Sequence, residues 1–313
     1  GLQIGAEDFA VHFDGFWRDA GDYKLPSDFD PHGDEEEHED EGEEELSSHL
    51  ANSASKSSGF TFGSSYLFKQ GFIGFSYGTM NRDYGIPGHA HGHEEEAGNA
   101  EGTAAEMQQD RLQLLSEINY DDSFIKQLAT KFAYTDYQHQ EIEAGLVGTT
   151  FANKSYEMKV DLYHQEYIGW KGAWTLHYKG SDFEAIGEEA FAPPSSTDSF
   201  AVAWLEENHF GDLLLQLGAR IERVSIDASD NVIGFSDHLH NQDHESVSFE
   251  QQNFNPFSSS IGLVWDYSSG YNIGLSLAVS QRAPSAAELF SFGPHIGTST
   301  FEVGAMFDLS LEK

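Results

Sequence analysis

Three stretches of this chain mix histidine with carboxylate, and they are its plainest chemical feature. Ten of the twelve residues from Asp34 to Glu45 are acidic, and His32, His38 and His49 punctuate or flank the run. The second patch is His89, His91 and His93 followed by Glu94, Glu95 and Glu96; the third is Asp237, His238, His240, Asp243, His244 and Glu245. Imidazole and carboxylate without thiolate suit zinc, nickel, manganese or cupric ions better than cuprous ion or an iron–sulfur cluster. In His89-Ala90-His91-Gly92-His93, alternate residues of an extended chain share a face at about 7 Å, too far for three imidazoles to bind one ion through bonds near 2.1 Å. Gly88 and Gly92 would let the loop curl. Without that curl each histidine is a weak, exchanging site, so the patch reads as a concentrator of ions more than as one tight site. An acidic run alone also fits a solvated loop that maintains solubility. Its combination with histidine in three separate places favours cation capture.

Charge agrees with that chemistry. Lys and Arg number 16 and Asp and Glu 53, a formal charge of 16 − 53 = −37. Nucleic acid and anionic surfaces are therefore poor partners, and cations good ones. The chain has no cysteine, so neither a disulfide framework nor a zinc-thiolate site is available. His-Glu-x-x-His and phosphate-loop patterns are also missing, and the chain is not expected to be an enzyme.

The elements that must hold these patches are strands. No run of about 18 apolar residues exists to form a transmembrane helix, and Gly1-Leu2-Gln3 does not open a signal peptide. Phe and Tyr together number 24 + 13 = 37, with 31 glycines and 8 prolines, a composition suited to a large sheet. Period-two alternation dominates outside the acidic stretches. Trp170, Gly172, Trp174, Leu176 and Tyr178 fall on one face, with Lys171, Ala173, Thr175, His177 and Lys179 on the other. Leu213, Leu215, Leu217, Ala219 and Ile221 oppose Gln216, Gly218, Arg220 and Glu222 in the same way, and the pattern returns at 158–163 and 271–280.

Twelve strands are predicted, near 8–19, 58–69, 72–83, 108–118, 125–139, 147–166, 170–180, 198–208, 212–227, 255–267, 271–282 and 299–311. Short turns, such as Lys69-Gln70-Gly71 and Tyr167-Ile168-Gly169, alternate with longer connections near 20–57, 84–107, 140–146, 181–197, 228–254 and 283–298. An up-and-down transmembrane barrel has this asymmetry, with tight turns on the periplasmic rim and long loops outside. Aromatic clusters near strand ends, such as Phe13, Phe16 and Trp17, fit interfacial girdles. The fold predicted is all-β, an antiparallel up-and-down transmembrane β-barrel. Eleven of the 15 histidines lie in the long connections or at strand ends facing them, which points to ion uptake. His12, His164 and His177 read as lumen-facing or interfacial polar residues without a ligand role.

From Gln281-Arg282-Ala283-Pro284-Ser285 through Glu288-Leu289-Phe290 to Phe301-Glu302-Val303-Gly304 the sequence resembles the TonB-dependent outer-membrane receptors. Tyr84-Gly85-Ile86-Pro87-Gly88-His89 and Gly21-Asp22-Tyr23-Lys24-Leu25-Pro26 are similar to the zinc-uptake branch in particular. The resemblance covers essentially the whole of 1–313 as the middle of a receptor. It implies a barrel of about 22 strands, of which about 12 are expected here, with the plug domain and the segment that meets the TonB–ExbB–ExbD complex absent. It further implies zinc, or a related divalent ion, as cargo, the Gram-negative outer membrane and its lipid as surroundings, and Glu141 and His295 as barrel-side metal ligands. His139 joins them by its proximity to Glu141. The alternatives are a receptor for a metal chelate such as a siderophore or haem, against which net charge argues when the chelate is anionic, and a surface barrel that sequesters metal or adheres.

Overall fold

In the computed structural model, the described residues are 1–26, 48–87, 102–143, 145–187, 190, 192–229, 249–295 and 300–305. Seventeen strands and one short helix are described. The chain runs through β1 (Leu2–Gly5), β2 (Phe9–Ala20), β3 (Tyr23–Lys24), β4 (His49–Leu50), β5 (Ser55–Phe68), β6 (Gly71–Gly85), β7 (Ala104–Asn119), β8 (Ile125–Glu143) and β9 (Leu146–His164). It continues through β10 (Trp170–Gly187), β11 (Ser195–Phe210), β12 (Leu213–Ala228), β13 (Gln252–Phe254), β14 (Phe257–Ser268), β15 (Tyr271–Val279), α1 (Ala286–Phe290), β16 (Phe292–His295) and β17 (Thr300–Val303).

One antiparallel sheet of 13 strands follows chain order, β1-β2-β5-β6-β7-β8-β9-β10-β11-β12-β14-β15, with β13 added beside β12. Every long strand pairs with its sequence neighbour, as an up-and-down barrel wall requires. The reason is the bilayer: with no water to satisfy them, backbone N–H and C=O groups must bond to the next strand. Among the described residues no helix is long and apolar enough to cross a membrane.

Register separates the two faces. Leu112 pairs with Tyr134 and Leu114 with Phe132; on the next ladder Phe132 pairs with Met158 and Leu128 with Leu162. The alternate residues, among them Arg111, Lys131, Lys159, Tyr137, His139 and Glu141, occupy the lumenal face. Leu277 is 63% exposed and Trp265 54%, exposures of large apolar groups that lipid rather than water accommodates.

On β12 the pattern inverts. Leu213 to Ile221 is apolar on the outer face, but above it that face carries Arg223, Ser225 and Asp227, while the lumenal side carries Val224, Ile226 and Ala228. The strand has left the hydrocarbon, so its outer residues meet water. Its inner ones are buried under Leu289 and Phe290 of α1, with Phe249, Phe254 and Ala283 around them. The loop after β15 therefore folds inward onto the wall.

Two predicted connections prove to be ladder. β8 and β9 are 19 residues each and leave 144–145 between them where 140–146 was expected, and β10 and β11 leave 188–194 where 181–197 was expected. Backbone pairing continues past the apolar band, where hydropathic alternation fades. The predicted last strand, 299–311, is also revised: Thr300–Val303 pairs with Phe292–His295 in a separate two-stranded sheet rather than continuing the wall after β15. The burial of Leu289 and Phe290 draws the segment inward, and Gly304 donates its N–H to the Ser291 carbonyl at 2.6 Å.

Candidate metal site on the lumenal wall

His139 and Glu141 are brought together. Two residues apart on β8, they share the lumenal face at the end away from the short turns, and His139 Nε2 lies 3.7 Å from Glu141 Oε1. That is too long for a hydrogen bond. Two ligands of one tetrahedral ion with bonds near 2.1 Å stand roughly 3.4 Å apart, so the separation suits a shared cation. Both side chains are largely shielded, 21% and 17% exposed.

The imidazole is oriented by its neighbours. Tyr137 Oη is 3.4 Å from Nδ1, and the Phe151 ring stacks on the imidazole at 5.0 Å between centroids. Fixing one nitrogen while leaving the other toward a carboxylate is how metal-binding histidines are held. Immediately beyond Glu141 the ladder slips, with Glu141 opposite Thr149 but Ile142 opposite Val147. Such an irregularity re-aims side chains at a rim.

His295 ends β16, where its backbone pairs with Thr300. His32, His38, His89, His91, His93, His238, His240 and His244 lie outside the described residues. Among the described residues no group of three or more His, Cys, Asp or Glu side chains is arranged to hold a metal ion. What the wall presents is one close imidazole–carboxylate pair.

Two further histidine clusters escaped the sequence reading. On the lumenal face His177 Nε2 is 2.6 Å from Glu157 Oε1, and Arg220 Nη2 donates to His177 Nδ1 at 3.3 Å. Ala201 of β11 pairs with both His177 and Glu222, and its methyl leaves the gap through which Arg220 reaches across a strand. On the outer face His164 Nε2 is 2.8 Å from Glu206 Oε1, both side chains less than a tenth exposed. Nδ1 donates to the Gln165 carbonyl at 2.6 Å, which leaves Nε2 facing the Glu206 carboxyl group. Gly172 lies on β10 between them, and a methyl there would meet the Leu205 carbonyl at 2.1 Å and Glu206 Cδ at 2.6 Å. The signal was the glycine inside the oily row Trp170-Gly172-Trp174, legible only once both neighbouring registers are known.

The Arg282–Glu288 motif is structural. Ser285 Oγ accepts from Glu288 N at 3.2 Å and the Glu288 carboxylate accepts from Ser285 N at 2.7 Å, a capping box that starts α1. Arg282 donates to both carboxylate oxygens, at 2.6 and 2.5 Å. This fork and the Ser285 amide hold the Glu288 carboxyl down at about 2.

The family described as TonB dependent receptor-like, beta-barrel, matches residues 16–309. The chain belongs to that family. Receptor barrels of this family are outer-membrane proteins that take part in transport, not enzymes. Among solved structures this receptor barrel is similar to the copper transporter OprC, at a TM-score of 0.73 and 10% identity over 93% of this chain and 44% of that one. It is similar to the FrpB iron transporter from Neisseria meningitidis, at 0.67 and 12% identity over 90% of this chain and 44% of that one. A third is the ferric-catecholate import receptor Fiu from E. coli K12, at 0.65 and 11% identity over 90% and 52%. At these identities the likeness is one of fold. The chain spans about half the length of the solved structures it matches.

Proposed function

We propose that this receptor barrel serves TonB-dependent uptake of zinc, or a related divalent metal ion, across the bacterial outer membrane, energised through the TonB–ExbB–ExbD complex. The observation that carries the reading is the His139–Glu141 half-site on the lumenal wall at the rim away from the short turns. One imidazole and one carboxylate leave positions open for His295, for loop histidines such as His89, His91, His93, His238, His240 and His244, or for ligands from another part of the receptor. An incomplete shell binds reversibly, and reversibility is what a transporter needs. The acidic loops, with His32 and His38, raise the local cation concentration before that step.

The test is calorimetric zinc titration of the complete receptor beside a variant carrying His139→Ala and Glu141→Ala. The expected result is a loss of about tenfold or more in affinity; unchanged affinity removes the half-site from the pathway. Energy-dependent accumulation of radioactive zinc separates transport from sequestration, because a sequestering barrel keeps its bound metal when TonB is deleted.

A further inference from the structure

We infer that Met107 is a third donor beside His139 and Glu141, making the lumenal site a thioether–imidazole–carboxylate set that prefers cuprous copper to zinc. The inference rests on the reading of His139 and Glu141 as a metal station and goes beyond it in cargo, from a divalent ion to a monovalent one.

Met107 lies on β7 as the direct register partner of His139, and Ala105 as that of Glu141. Partners in one antiparallel row carry Cβ atoms about 4.5–5.5 Å apart on the same face, within reach of a flexible thioether and an imidazole seeking one ion. Ala105, the partner of Glu141, is fully buried beneath its neighbours. On the other side of Met107 the row continues to Arg82, whose guanidinium is held over the Tyr84 ring at 4.9 Å. Phe151 covers His139 from β9. The three residues thus share one face between Phe151 and the engaged Arg82.

Donor softness decides the preference. Zinc in proteins takes thiolate, imidazole and carboxylate, and a neutral thioether adds little to it; cuprous ion favours thioether sulfur with imidazole. A monovalent cuprous ion would leave Glu141 to neutralise its charge, making a neutral assembly suited to a shielded wall. The chain has only 4 methionines, so one in register with the candidate histidine is a selective placement.

The experiment uses the complete receptor in detergent, with silver(I) as a redox-inert probe for cuprous ion and zinc(II) as its competitor, each titrated calorimetrically. Met107→Leu keeps volume and apolarity, and the expected result is a drop in silver affinity of about tenfold or more with zinc affinity within about twofold. X-ray absorption of the silver-loaded wild type is expected to show one sulfur neighbour that Met107→Leu lacks. Silver affinity unmoved by Met107→Leu, equal loss of both metals, or no sulfur neighbour in the wild type overturns the inference while leaving the zinc reading intact. If instead His139→Ala with Glu141→Ala leaves both metals bound as before, the station itself falls, and the inference with it.

Discussion

Glu288 shows how a single residue ties sequence to fold. Its carboxylate accepts from Arg282 and from the Ser285 amide, and its pKa sits at about 2, below the ordinary 4.5. A depressed folded value stabilises the fold above the ordinary pKa, and that contribution is lost as pH falls from about 4.5 toward 2. The protection factors of the α1 amides, taken relative to intrinsic exchange at each pH, are therefore expected to hold level above pH ~5 and to fall as the solution is acidified through that window. Glu288→Gln should erase this dependence. A wild type insensitive to acid across the window would mean that the fork does not secure α1. The motif was visible as a string, but its role was not: only the inward fold of α1 explains why Leu289 and Phe290 follow the capping box.

Across elements, glycine and alanine set which strands can communicate. Gly172 lets His164 of β9 meet Glu206 of β11 over the intervening strand, a contact that ties three strands near the short-turn rim. Gly172→Val should impair assembly, read as loss of the faster gel migration of unheated folded barrels, since a side chain there collides with the Leu205 backbone. His164→Ala is expected to cost roughly 3–5 kcal/mol in urea unfolding because it removes the charge partner of the buried Glu206 carboxylate and leaves it the Trp204 indole N–H, with the second oxygen already lacking a protein partner. His164→Leu combined with Glu206→Leu should recover most of that loss. If the double substitution is as unstable as the single, the pair is worth more than its desolvation. In the sequence, His164 was read only as a polar residue near an interface; partners 42 residues apart come together through two ladders that no local pattern specifies.

At the scale of the whole molecule, the wall divides lipid from lumen by parity alone. Leu217, at the centre of the outer stripe of β12, and Gln216, its lumenal neighbour, are one residue apart. Arginine at 217 is expected to cost about 2–4 kcal/mol in reversible unfolding from lipid vesicles, while arginine at 216 should cost far less. Equal costs would contradict the assignment of faces. The same geometry relocates the protein's charge: a strongly acidic chain presents a row of lysines and histidine on part of its inner wall, and acidic runs in its connections.

Fold class, the order of the wall and the split between oily and polar faces were decided by the sequence, because a bilayer imposes a period of two on every strand and turn residues mark the hairpins locally. His139 and Glu141 were named in the sequence as near neighbours, but with 140–146 expected as a connection their shared face on β8 emerged only from the longer ladder. Tertiary structure alone decided the rest: the true reach of β8 to β11, the inward turn of α1, and the rows that set Met107 beside His139, Lys131 beside Lys159 and His164 across Gly172 from Glu206. Those depend on register, a relation between strands fixed by the length and shape of each hairpin, which no single strand's pattern contains.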